Sequence, residues 1–307
     1  MWAPLLAPNE DPLGYPAFFE DLESWFPVYV SPKLDGFRCV TKEGRCKSRK
    51  YIDLGSNQVQ SLFGKYSDLD GEIVCGDETA PDVFNVTSSH VRAFNKPHPD
   101  VKFRIFDFAS EDLVDDPFEM RLDLVRDYVE SIGDPRITII EQTLCHTIEE
   151  VLACEEKYLA MGYEGVMIRT PGGRYKGGLK KANRATWLER IICKLKRFED
   201  IEAQVIGYEE GETNTNEDVR DNFGKAKRSS AKSGMVAADT VGKFLVMWNG
   251  QIEKIPPGSF KKSELEFIWT NKERFLNKWL AIRHFPHGAI RSLRMARAKG
   301  FRDGMDM

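Results

Sequence analysis

Lys33-Leu34-Asp35-Gly36-Phe37-Arg38 is the stretch on which the fold turns. It follows a strand-like run, Val28-Tyr29-Val30, and leads into another, Phe37 to Thr41. A turn between strands thus carries a lysine, an acid, a glycine and an arginine. A lysine acts as a nucleophile only when its amine is neutral, which burial or a nearby cation favours. A neighbouring glycine lets the backbone approach a ligand, and an arginine offers a planar fork to phosphate. Taken alone, the same residues make an ordinary hairpin turn.

Outward from it, short motifs follow in order: Ser48-Arg49-Lys50, Leu69-Asp70-Gly71-Glu72-Ile73-Val74, Phe103-Arg104-Ile105-Phe106-Asp107-Phe108, Glu164-Gly165-Val166-Met167-Ile168-Arg169 and Cys193-Lys194-Leu195-Lys196-Arg197. Each also has a plain structural reading: a hairpin turn at Asp70-Gly71, a cap at Glu164-Gly165, a core aromatic at Phe106, and the wet face of an alternating strand at Lys194 and Lys196. No P-loop and no Gly-x-Gly-x-x-Gly turn occurs, so a nucleotide would have to be held another way.

The chain has 307 residues, 41% of them hydrophobic, with 44 Lys and Arg against 48 Asp and Glu. That excludes a disordered tail or fibrous repeat and leaves room for two domains. The net charge of −4 tells mildly against a polyanion partner, but its distribution tells otherwise. From Asp107 to Glu130 nine acids meet only Arg121 and Arg126. From Arg174 to Arg197 nine bases, Lys180 and Lys181 among them, meet only Glu189, and from Arg283 to Arg302 six bases including Arg291 meet no acid. The acidic stretch repels nucleic acid. The basic segments are of the kind phosphates select, although charge runs are also commonly solvated faces. Six scattered cysteines make a zinc module or disulfide framework improbable. No apolar run reaches the length of a membrane span, and Met1 to Pro16 lacks the regions of a signal peptide, so a cytoplasmic protein is expected.

Helices are predicted from Phe118, after Asp116-Pro117, to Gly133, and from the capping box of Thr147 and Glu150 to Gly162. Strands are predicted at Leu69 to Cys75, Lys102 to Phe108, Ile137 to Ile140 and Gly165 to Arg169. After Phe198 the texture changes. Ile201 to Tyr208 reads as a strand, and Glu209 to Lys232 as a polar loop with Lys225, Lys227, Arg228 and Lys232 at its basic end. Lys243 to Trp248 and Gln251 to Ile255 flank the hairpin signal Asn249-Gly250; a helix from about Ser263 and a last strand near Trp279 to Phe285 follow.

In this order the motifs resemble the nucleotidyltransferase signature shared by ATP-dependent DNA ligases, RNA ligases and mRNA capping enzymes, from about Val28 to Phe198. The remainder, from Glu202 to Tyr208 through Arg294-Met295-Ala296-Arg297-Ala298-Lys299-Gly300-Phe301-Arg302-Asp303, resembles the OB-fold domain of the small DNA ligases of bacteriophages. The resemblance implies an α+β chain. Residues 1–198 would form an adenylation domain of antiparallel sheets with flanking helices, and residues 199–307 a small OB-fold β-barrel. It also implies a monomer that uses ATP and Mg²⁺ or Mn²⁺ to seal nicks in double-stranded DNA, through a lysyl-AMP and a DNA-adenylate.

Carried over position by position, Lys33 would attack the α-phosphate of ATP, with the metal and neighbouring lysines lowering its pKa. Arg49 and Glu72 would hold the ribose hydroxyls and Phe106 would stack on adenine. Glu164 would serve the metal, with Asp35 a second acid used mainly in the later steps. Lys194 and Lys196 would face the phosphates, Arg38 the nucleotide and the 5′-phosphate of the nick, and Arg294 and Arg302 the leaving pyrophosphate. Two departures stand out. Tyr175-Lys176-Gly177-Gly178 is followed by Leu179 where the family commonly has Arg, and Met295-Ala296 replaces a frequent Pro, so Arg297 competes with Arg294.

An RNA ligase or capping guanylyltransferase would share the first domain, and a non-catalytic OB-type nucleic-acid-binding protein is the alternative outside enzymes. The length of 307 residues favours a minimal two-domain ligase over larger relatives.

Overall fold

The structure, a computed structural model, describes residues 2–8, 17–179, 182–220, 226–229, 231–290 and 292–302. Lys180, Lys181, Lys225, Arg291 and Asp303, which enter the readings above, lie outside the described residues, as does most of Met1 to Pro16. The chain divides into two compact units, Met1–Arg197 and Phe198–Met307.

In the first unit two sheets carry the order of motifs into space. One runs Ile192–Leu195, Val166–Arg169, Val28–Pro32, Thr143–Cys145, antiparallel throughout. Val28, Val30, Val166 and Ile168 line its core with Val151 and Tyr158 of the helix Ile148–Ala160. That helix starts where the capping box places it: the Thr147 hydroxyl accepts from Glu150 N at 3.3 Å, and the Glu150 carboxylate accepts from His146 N at 2.6 Å.

The other sheet runs Arg45–Lys47, Phe37–Lys42, Leu69–Cys75, Val101–Phe108, Ile137–Ile139, with only the last pair parallel. Phe103 and Ile105 enter its core and meet Phe118, Leu122 and Val125 of the helix Phe118–Ile132, which ends at Gly133 with φ 63°. Each of these fully buried side chains contributes roughly 1.5–3 kcal/mol of transfer free energy.

One irregularity shapes the site. Leu69 pairs with Phe108 and Asp70 with Asp107, but Gly71 pairs with Ile105, so Phe106 is the extra residue of a β-bulge. Phe103 and Ile105 belong to the second sheet's core and Phe106, on the opposite face, packs against that of the first; past the bulge Phe108 turns back to the second core, where strict alternation would put it with Phe106. A side chain at Gly71 would strike the Arg104 carbonyl and the Phe103 ring, so the close approach requires glycine.

The second unit is one antiparallel sheet in the order Gln251–Ile255, Met235–Trp248, Glu199–Asn214, Trp279–Phe285, Arg294–Phe301. It curls until its edges meet: Ala298 N donates to Pro256 O at 3.0 Å and Ser259 N to Ala298 O at 3.1 Å. The helix Lys262–Thr270 contributes Leu265 and Ile268 to the core. Asn249 and Gly250, with φ of 45° and 76°, make the expected hairpin turn. This is the expected OB-type barrel in an α+β chain.

The polar segment corrects the loop expected from Glu209 to Lys232. The strand Glu199–Asn214 runs on through Glu209 and pairs with a strand that begins at Met235 rather than Lys243. None of the residues from Glu209 to Asn214 is buried. A ribbon wet on both faces needs ladder hydrogen bonds and no apolar alternation, and so leaves no such signal. Asp218–Arg220 and Ala226–Arg228 form a further strand pair. The last strand, Arg294–Phe301, also has little apolar pattern, with Ala298 its one buried residue.

Candidate active site

Lys33 directly follows the strand Val28–Pro32, and Glu164 stands just ahead of Val166–Arg169, its neighbour in the sheet. The ladder continues past the strands: Lys33 N donates to Gly165 O at 2.8 Å and Glu164 N donates to Lys33 O at 3.2 Å. Gly165 has φ 144°, and a Cβ there would collide with the Leu195 carbonyl, so glycine lets the third strand close in. The result is a cluster. Lys33 Nζ donates to Glu164 Oε2, and Lys196 Nζ donates to Glu164 Oε1 at 3.2 Å. Lys194 lies two residues back on the Ile192–Leu195 strand, opposite Met167.

The electrostatics follow. Burial alone would push the Lys33 ammonium down, but Glu164 above all, with Glu72 and Asp35, outweighs it and holds Lys33 above the ordinary lysine range. This corrects the expectation that neighbouring lysines lower it. Lys194 is the lowered lysine, through burial first and then through Lys196, Lys33 and Arg184. Burial would raise Glu164, but Lys33 and Lys196 hold it below the usual carboxylate range. Glu72 is pushed up to about 7 by burial, against the pull of Arg38 and Lys33.

The second sheet supplies a row across three strands, Arg38 paired with Glu72 and Glu72 with Arg104. Arg38 makes a bidentate pair with Asp70, Nε to Oδ1 at 2.5 Å and Nη2 to Oδ2 at 2.6 Å, and donates from Nη2 to Leu5 O at 3.2 Å. Its guanidinium carbon lies 4.5 Å from the centroid of the Phe106 ring, and that of Arg169 lies 5.5 Å from the same ring. Arg169 donates to Asp107 at 2.5 Å, and Asp107 also accepts from Arg121 Nε at 2.9 Å.

The structure therefore groups Lys33, Asp35, Glu164, Lys194 and Lys196 around one point of the first sheet, with Glu72 in electrostatic reach of Lys33. Arg38 and Phe106 stack on one another beside it. Arg49 is not drawn in; it stands exposed in the turn closed by Tyr51 N donating to Ser48 O at 2.7 Å. Arg294 and Arg302 belong to the second unit, where Arg294 Nη1 donates to His287 O at 3.0 Å and Arg302 Nε to Glu202 Oε1 at 2.5 Å. Arg297 there pairs in register with Arg283.

Four residues escaped the sequence reading: Asp70, Asp107, Arg121 and Tyr175. Asp107 and Arg121 stand within the acidic stretch, yet both are buried and paired, so neither belongs to a charged face. A signal existed for Arg121, which falls on the apolar stripe of its helix with Phe118, Leu122 and Val125. The basic segment is likewise partly neutralised, Lys176 by Glu189 at 2.6 Å and Arg197 by Glu155 at 2.5 Å.

An amine amid ammonium groups and one or two carboxylates suits phosphoryl chemistry. Among the described residues no group of three or more His, Cys, Asp or Glu could hold a metal ion. Glu164 with Asp35 fits the sparser donor set of Mg²⁺, which keeps several waters and takes one or two carboxylates. No helix among the described residues is long and apolar enough to cross a membrane.

Comparison with known proteins identifies the family and the fold. The family model for an ATP dependent DNA ligase domain matches residues 22–189. A DNA ligase of Haloferax volcanii is 29% identical over 244 residues, which span 72% of this chain and 40% of that protein. The structure of a Chlorella virus DNA ligase-adenylate is similar at a TM-score of 0.53 and 24% identity, over 98% of this chain and 99% of that one. That of a Lig E DNA ligase is similar at a TM-score of 0.65 and 21% identity, over 91% and 93%. At these identities the structures speak for the fold, and the domain match, covering more than half of the chain, speaks for descent: the chain belongs to the ATP-dependent DNA ligase family.

Proposed function

We propose that this chain seals 5′-phosphate/3′-hydroxyl nicks in duplex DNA with ATP as co-substrate, as a cytoplasmic monomer. The observation that carries the reading is Lys33 joined to Glu164, with Lys196 on the same carboxylate and Lys194 beside them. Lys33 Nζ, once deprotonated, attacks the α-phosphorus of ATP; the N–P bond forms as the bond to pyrophosphate breaks. An oxygen of the nick's 5′-phosphate then takes the adenylyl group from Lys33, and the 3′-hydroxyl oxygen displaces AMP to close the strand. Because Glu164 and its neighbours hold Lys33 as an ammonium, release of that proton precedes attack.

Around the nucleophile, Lys194 and Lys196 neutralise phosphate charge, Glu72 takes the ribose hydroxyls, and Phe106 presents its ring to the base. Arg38 binds phosphate at the nick, and Arg294 and Arg302 serve the leaving pyrophosphate. Mg²⁺ or Mn²⁺, held at Glu164 and Asp35 with waters completing its shell, would supply further positive charge to the phosphates. Positioning and charge neutralisation supply most of the rate enhancement. Six free cysteines fit a reducing compartment.

The test is incubation with α-labelled ATP or GTP, followed by nicked DNA or nicked RNA. Label from ATP should stay on the protein and move to nicked DNA. Label from GTP, or transfer to RNA alone, would assign the chain to capping or RNA joining, and no label at all to a binding role.

A further inference from the structure

Tyr175 is buried with 1% of its surface exposed, in the loop where the chain departs from its relatives' usual pattern. Its hydroxyl donates to Asp70 Oδ2 at 2.6 Å. Asp70 is fully buried, and its two oxygens also take Nε and Nη2 of Arg38. On its far side the Tyr175 ring stacks on Trp2, centroids 6.3 Å apart and planes within 11°. Trp2 belongs to a short N-terminal strap. Trp2–Ala3 pairs with Gly178–Leu179, Pro4 O accepts from Asn183 Nδ2 at 2.6 Å, and Leu5 O accepts from Arg38 Nη2 at 3.2 Å. The strap lies outside the matched ligase domain, residues 22–189, yet it holds Arg38 directly and Tyr175 through its ring.

We infer that Tyr175 is a positioning residue for Arg38, acting through Asp70, and that the Trp2–Leu5 strap completes the same clamp. The inference rests on the ligase reading above, in which Arg38 meets the phosphate at the nick. A guanidinium has five donors in a fixed plane, and the orientation of that plane decides which of them can reach a phosphate. Asp70 takes two of them, and its own orientation is set by the Tyr175 hydroxyl. Without that hydroxyl, Asp70 loses its third fixed point. The Arg38 plane then rocks over Phe106, and the geometry for the nick is dispersed, while Lys33 and Glu164 on the other sheet are untouched.

The consequence is a defect confined to the steps on DNA. In Tyr175→Phe, which retains the ring and its stack on Trp2, labelling of Lys33 from α-labelled ATP should stay within twofold of the parent. Sealing of a pre-adenylylated nick should fall on the order of tenfold, the scale of one charge-assisted hydrogen bond. Arg38→Lys should lose sealing at least as far, and the double variant Tyr175→Phe/Arg38→Lys should seal no more slowly than Arg38→Lys alone, since Tyr175 acts only through Arg38.

Equal sealing by Tyr175→Phe and parent would overturn the inference. So would a proportional loss of labelling and sealing, or additive losses in the double variant, each of which marks Tyr175 as general support for the fold. If Tyr175→Phe does not fold, Asn183→Ala at the strap is read by the same pair of assays: selective loss of sealing supports the clamp, and unchanged or proportional loss refutes it. A parent protein that takes no label from ATP would instead refute the ligase reading itself.

Discussion

Asp70 and Asp107 are direct partners across two antiparallel strands, and neither carboxylate has any exposed surface. Two like charges opposite one another in a core are tolerable only if each is neutralised separately. Asp70 is met by Arg38 and Tyr175, Asp107 by Arg121 and Arg169. The four partners come from a strand, a loop, a helix and the other sheet, so the pair of acids ties together the elements around the candidate site.

Asp107→Asn should therefore be strongly destabilising. It leaves Arg121, with 1% of its side chain exposed, and Arg169 without a counter-charge. Breaking a buried pair by removing one partner costs about 3–5 kcal/mol, whereas an exposed pair is worth less than about 1 kcal/mol. Asp123→Asn, which breaks the exposed pair with Arg126, is the control. Urea midpoints of the two variants should differ severalfold in their shift; similar shifts would mean that the buried network carries no stability.

Glu72 gives a pH-dependent prediction of the opposite sign to that of an ordinary paired carboxylate. Its pKa is raised in the folded protein to about 7, mainly by burial, from 4.5. The unfolded chain thus gives up the proton first, and stability falls as the pH rises from about 4.5 through 7. The loss is on the order of 3 kcal/mol. Glu72→Gln should abolish it, so the variant should gain on the parent between pH 5 and pH 8 in urea unfolding while losing nucleotide labelling. A stability difference that does not change with pH would show that Glu72 titrates normally.

Much of this was legible in the sequence because its causes are local. Thr147 with Glu150, Gly133, and Asn249-Gly250 each act on their own turn of chain, and all sit where expected. The order of motifs pointed to Lys33, Glu164, Lys194 and Lys196, which the sheet brings together. What escaped were pairings set by packing: Tyr175 with Asp70 across 105 residues and Arg169 with Asp107 across 62. No local pattern encodes them. The wet ribbon from Glu209 to Asn214 escaped for a different reason, that backbone pairing without a buried face leaves no periodicity.

The lysines of the site should titrate in an order that residue type alone would not give. Lys194 is lowered by burial and by Lys196 and Lys33, whereas Lys33 is raised because Glu164 outweighs burial. Competitive acylation with an isotopically paired reagent over a pH series, read by mass spectrometry, should show Lys194 becoming reactive at lower pH than Lys33. Lys33 reacting first would mean that the ion pair with Glu164 is not kept in solution.

Binding to nicked duplex should weaken with salt, because each phosphate neutralised releases condensed counterions and contributes about −0.9 to the slope of log K against log salt. The slope should be shallower than the nine bases from Arg174 to Arg197 suggest. Lys176 is held by Glu189, Lys196 by Glu164 and Arg197 by Glu155, and a cation already paired inside the protein has less charge to offer DNA. Glu189→Gln isolates the effect. The amide oxygen can still accept from Thr186 N, as the carboxylate does at 2.8 Å, so the local cap survives while Lys176 and its neighbour Arg174 lose their counter-charge. Affinity at low salt should rise and the slope should steepen by about one phosphate equivalent. An unchanged slope in this variant would place the DNA on another face.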